Sequence, residues 1–125
     1  MHKPFSTHRL LTLAALLAAL PAAAAPNNIT DLGALRNDNS SYSGADAVNS
    51  DGSIVVGDAY NDNGDLHATV WSGNNWGTKT DLGTLKTDNS GSSVAYAVSR
   101  DGSVVVGQAD NDNGETHATV WSGSN

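Results

Sequence analysis

The chain has 125 residues, no cysteine, 13 acidic against 6 basic residues, and a formal net charge of −7. That length suits a single domain. The acidic balance repels phosphate backbones and anionic lipid surfaces, which argues against nucleic acid and membrane surfaces as partners.

In chain order, the first nine residues, "MHKPFSTHR", carry Lys3 and Arg9 and no acid. An apolar run of 11 residues, "LLTLAALLAAL", follows at 10–20, and then "PAAAAP". The run is too short to span a bilayer, which takes roughly 20 residues. A basic start, a short apolar core and an Ala-x-Ala end predict a secretory signal over residues 1–25. Cleavage after Ala24 is favoured, because a cut after Ala25 would leave Pro26 directly behind it. All the acids lie beyond this segment, balanced there only by Arg36, Lys79, Lys86 and Arg100. No membrane-spanning segment is expected in the mature chain. A small exported domain usually compensates for a small core with disulfides or a metal. Without cysteine, disulfides and a cysteine-linked lipid anchor are both closed to this one. Export without cysteine fits the periplasm, cell surface or surroundings of a Gram-negative bacterium.

Beyond the signal the chain repeats itself. Residues 31–73, "DLGALRNDNSSYSGADAVNSDGSIVVGDAYNDNGDLHATVWSG", superpose without a gap on residues 81–123, "DLGTLKTDNSGSSVAYAVSRDGSVVVGQADNDNGETHATVWSG". The offset is 50 residues, with 29 identities in 43 positions. A repeat of this period marks a supersecondary unit that buries its apolar face only by stacking on a neighbour. The expected division is a first unit over 26–80 and a second over 81–125.

Each unit carries strand signals. Residues 45–48 ("ADAV") form the first, and Asp51-Gly52 offers a two-residue hairpin turn. Residues 53–57 ("SIVVG") form the second, with Asn63-Gly64 as the next turn, and 67–71 ("HATVW") form the third. Residues 76–83 ("WGTKTDLG") make a weaker fourth. The second copy repeats strands at 95–98, 103–107 and 117–121. No window outside the signal has helical apolar spacing free of Gly, Asn or Asp. The continuous runs "IVV" and "VVV" predict strands covered on both faces. Gly57 and Gly107, at their ends, permit close approach of a neighbouring backbone. Four short antiparallel strands per unit match the blade of a β-propeller. The expected fold is therefore all-β: tandem four-stranded antiparallel blades forming a partial β-propeller of two repeats. A parallel β-helix is the rival, but its coils are shorter and have no place for hairpin turns. Closed propellers hold about 4 to 8 blades, so two units point to a truncated product, a piece of a longer array, or an oligomerising protomer.

Among chemistry-bearing residues, His67 and His117 could serve as a base or a metal ligand. They recur at equivalent positions, however, which favours a structural role, each holding a turn of its own unit. Trp71 and Trp121 are expected to supply buried apolar area between units, and Trp76, with no counterpart in the second copy, to be more exposed. The acidic stretches 58–65 and 108–115 invite calcium, with Asp110, Asp112 and Glu115 as first candidates. The calcium-loop spacing fails. With Gly114 in the sixth position, Ala109 falls in the first and Val120 in the twelfth, where carboxylates are required. A solvated hairpin tip is the preferred reading. No nucleophile elbow, phosphate loop or isolated carboxylate pair is present. The sequence thus assigns no catalytic, cofactor-binding or metal residue and no cofactor. The connections 36–41 and 86–91 are the expected contact loops.

At "DLGTL", "AVSRDGSVVVGQA" and "HATVW" the chain resembles the HAF-type extracellular repeats found in tandem in exported bacterial proteins, autotransporter passengers among them. It departs at Thr69 and Thr119, where phenylalanine is common. The resemblance covers residues 31–123. It implies an exported, propeller-like array with a surface role and supplies no catalytic residues. The expected function is a non-enzymatic exported repeat module, structural or adhesive, that meets further repeats or itself through sheet faces and binds an unidentified surface ligand. The alternatives are a piece of a propeller hydrolase or lyase, and a calcium-stabilised surface protein.

Overall fold

The computed structural model describes residues 28–123, so the expected signal segment lies outside it. Seven strands make two antiparallel sheets. The first is four-stranded, in the order β1 (Ser43–Val48), β2 (Val55–Tyr60), β3 (Leu66–Ser72), β4 (Thr78–Asp81). The second is three-stranded, β5 (Ser93–Val98), β6 (Val104–Asp110), β7 (Thr116–Ser122). Among the described residues one 3-10 turn, Asn74–Trp76, leads into β4. The all-β expectation holds, and four strands pair in the first copy. In the second copy the three strands expected there pair among the described residues.

The first turn of each copy also differs from the expected two-residue hairpin. Of the Asp51-Gly52 pair in the first copy only Gly52 takes positive φ, at 78°. Asn49 closes the loop instead: its N–H donates to Ile54 O at 3.0 Å, and its Oδ1 accepts the Ile54 N–H at 2.9 Å. In the second copy Ser99 Oγ accepts the Val104 N–H in the same place. Short polar side chains here take over ladder bonds that backbone would otherwise make, so the loop is longer and β2 starts at Val55. Asp51 and Asp101 complete these loops by accepting the N–H and hydroxyl of Ser53 and Ser103. Those bonds hold the Asp101 carboxyl well below its ordinary range, at about 2.

Gly57 and Gly107 behave as expected. Each lies opposite a bulge in the preceding strand, between Ala45 and Ala47 and between Ala95 and Ala97. The bulge presses a carbonyl, of Gly44 or of Val94, onto the glycine where a Cβ would be.

Two apolar clusters form the core. One lies between the sheets, where β5 crosses β1, β2 and β3, and centres on Val56, Ala68, Ala95 and Val105. The other lies on the opposite face of the first sheet, where Ala34, Ala59 and Trp71 pack with Leu32, Leu35, Val55 and Trp76. Cover on both faces of the apolar runs is thus found in the first copy, with Val56 buried and Val55 half-buried. It is not found in the second: Val105 is 4 % exposed, but Val106 is 40 % and its cross-strand partner Val120 64 % exposed. No described residue packs a sheet onto that face. One buried group opposes folding at neutral pH. Burial, and then the charge of Asp46, raise the Asp58 carboxyl, whereas the second copy has uncharged Gln108 at that position.

Candidate functional site

The polar residues of most interest gather at the seam between the two sheets. His67, on β3, is 1 % exposed, and its Nδ1–H donates to both carboxylate oxygens of Asp81, each at 2.8 Å. Asp81 ends β4 and by sequence opens the second copy. It also accepts the Gly83 N–H at 2.8 Å. Around this pair the Ala68 N–H donates to Ser93 Oγ at 2.8 Å, and Ser93 Oγ–H donates to Gly83 O at 2.7 Å. The Leu82 N–H reaches Ala68 O, and the Gly91 N–H reaches Asp65 Oδ1. Asn49 Nδ2 and Ser50 Oγ both donate to Arg100 O. Apart from the Gly83–Asp81 and Ser93–Gly83 bonds, which lie within the second copy, each of these bonds joins the first copy to the second.

The pair polarises both partners. The hydrogen bond to Asp81 raises His67 above the ordinary imidazole range, against burial, which lowers it. Burial works to raise Asp81, but the His67 and Gly83 bonds outweigh it and its carboxyl sits below the ordinary range. His67 Nε2 is buried without a hydrogen-bond partner. The hydroxyl two residues along the strand turns away from the ring, since Thr69 Oγ1 donates to the His67 carbonyl oxygen at 2.8 Å. The arrangement suits a structural ion pair rather than a general base, which must reach substrate. The expectation that His67 braces a turn of its own unit is met only in part. Its ring does lie 3.4 Å from Asn61 Nδ2, but its close partner is Asp81. Sequence reasoning missed Asp81, although "HATVW" at 67–71 is followed by "DLG" at 81–83, a signal that could have pointed to it.

His117 differs. Its side chain is 56 % exposed, with Glu115 at 3.5 Å and Asn111 at 3.4 Å. Trp71 is buried, and its Nε1–H donates to Gly33 O at 3.2 Å, beneath the segment ahead of β1 rather than between the sheets. Trp121 packs against the inter-sheet cluster, half-buried. Trp76 is half-buried, not open, and donates to Gly52 O at 2.9 Å. The three calcium candidates turn to separate neighbours. Asp110 accepts from Thr116 and Ser92, Asp112 from Thr87, and Glu115 from Asn111. Among the described residues no three acidic or histidine side chains converge on a point. The loops 36–41 and 86–91 are largely exposed, and each is pinned to the hairpin tip of its own copy, Asn37 N–H to Asp62 and Thr87 N–H to Asp112. Where β6 and β7 diverge from the first sheet, a cleft of 480 Å³ opens between Val70, Leu82, Gly102, Val105 and Trp121. No described helix is long and apolar enough to cross a membrane.

No family model, curated protein or solved structure matches the chain.

The pair makes a pH-dependent prediction. A raised imidazole contributes stability that is full below its unfolded pKa and is lost as pH rises through the folded one. The lowered carboxyl contributes above its unfolded pKa and loses that as the medium becomes strongly acidic. Asp81→Asn should therefore cost about 1–3 kcal/mol at about pH 5 and clearly less at about pH 9. Thermal melts followed by circular dichroism test this. An equal loss at both pH values would show that the two groups are not paired as ions.

Proposed function

We propose that the chain is an exported, non-enzymatic bacterial repeat module with a surface structural or binding role, built as part of a propeller-like array of HAF-type repeats. One observation carries the reading: the recurring polar residues bond the same backbone groups in both copies. Asp31 and Asp81 accept the Gly33 and Gly83 N–H, and Asn39 and Asn89 accept the residue-34 and residue-84 N–H. Asn61 and Asn111 close identical tips. Side chains spent on architecture in every unit are those of a scaffold that presents loops and faces, and here the loops 36–41 and 86–91 and the sheet faces are what remains to meet a ligand or further units.

The export half of the reading is tested by expressing the full chain in a Gram-negative host and weighing the product by mass spectrometry. The expected product lies outside the cytoplasm and has lost residues 1–24. A cytoplasmic product of full mass would refute export.

A further inference from the structure

The contact between the two sheets has two unused halves. Within the chain, Leu82, Ala95, Val98 and Val105 of the second copy pack on Val56, Ala68 and Val70 of the first. Fifty residues earlier, the counterparts of the first group are Leu32, Ala45, Val48 and Val55, identical in type. They line an open apolar groove on the outer face of the first sheet, where Val48 is 56 % exposed. Fifty residues later, the counterparts of the second group are Val106, Ala118 and Val120, again identical, and all exposed on the outer face of the second sheet. One end of the molecule thus carries one half of an interface, and the other end its complement.

The polar seam shows the same division. The counterpart of the His67–Asp81 pair is His117 with Asp31. His117 is exposed at one end and Asp31 at the other. Ser43 is the counterpart of Ser93, whose hydroxyl receives the Ala68 N–H, and Ala118 is the counterpart of Ala68. β4 pairs with β3 through Thr78–Asp81, while β7 is the open edge of its sheet. The segment aligned with β4 in the sequence is 28–31, which holds the fully exposed Ile29.

From this we infer that a second copy of the chain docks head to tail. It lays the Val48 face of its first sheet on the Val106–Val120 face here, adds its residues 28–31 along β7, and sets its Asp31 on His117. Trp76, which lies over Val55, does not obstruct this. It enters the new seam where the internal seam leaves the 480 Å³ cleft against Gly102 and Val105. The contact is heterologous, so the same step can be taken again, generating a ring or a filament. With a net charge of −7 on each chain, assembly strengthens as salt screens repulsion between copies.

This inference rests on the reading that the chain meets its like through sheet faces. The test uses the full chain and two variants at opposite ends, Val48→Lys and Val120→Lys, both at exposed positions where folding is retained, as circular dichroism would check. In light scattering the unaltered chain forms species larger than a dimer, and more of them at higher salt. Each variant alone is monomeric, and an equal mixture gives a one-to-one dimer and nothing larger. Two folded variants that stay monomeric when mixed would overturn the head-to-tail contact, as would a dimer formed by either variant alone, which would leave face-to-face association standing. An unaltered chain that stays monomeric at millimolar concentration and high salt overturns both.

Discussion

Replacing Val105 with aspartate abolishes the cooperative melting transition of the chain. Val105 is 4 % exposed and sits between the sheets with Val56, Ala68 and Ala95. A carboxylate there is set among the apolar side chains of that cluster. Leaving water without a partner costs several kcal/mol even after relaxation, and the lost valine contact adds roughly 1.5–3 kcal/mol. Small domains have about 5–15 kcal/mol in total, so the variant is expected to be largely unfolded by far-UV circular dichroism. Val106→Asp, one residue along the same strand, is the control. Its side chain points to the exposed face, and the change is expected to cost about 1 kcal/mol or less. If Val105→Asp melts like the unaltered chain, β6 does not turn that face inward.

That pair of neighbours marks where sequence reasoning stops. A run of three valines announces a strand, and the recurring Val-Val-Gly places its start within two residues in both copies. It has no alternation, however, so it cannot say which valine faces the core. β5 lying across the first sheet decides that, and a long-range contact leaves no local signature. The turns went astray for a related reason. Asp51-Gly52 has the residues of a two-residue hairpin, but Asn49, two positions earlier, holds both bonds of Ile54, a competition that pair statistics do not register. The seam was legible only in part. Recurrence marked His67 as structural, but its partner Asp81 belongs by sequence to the next copy, and the division into units hid the bond that joins them. The close approach at Gly57 was legible, because a glycine closing an apolar strand has few other uses.

Gly57→Ala is expected to cost about 3 kcal/mol or more, at the top of the range for overpacking. Gly57 does not have positive φ, so alanine suits its backbone and the cost is steric alone. An added Cβ runs into the carbonyl oxygen of Gly44 and lies 3.0 Å from Ala45 Cα. Both belong to the backbone of the paired strand, at the bulge, so no rotamer change can clear the way. β1 must lift away from β2, which loosens the ladder and exposes Ala59 and Trp71 beneath. Gly107→Ala meets Val94 O in the same manner and should cost as much. Gly64→Ala separates this from an ordinary glycine effect. Gly64 has φ of 82° and nothing within 4 Å of the added carbon, so only left-handed strain of about 1–2 kcal/mol applies. Thermal melts of the three variants should therefore place Gly64→Ala clearly above the other two. If Gly57→Ala melts as high as Gly64→Ala, the bulged strand is not held down on β2, and the explanation for the recurring glycine fails with it.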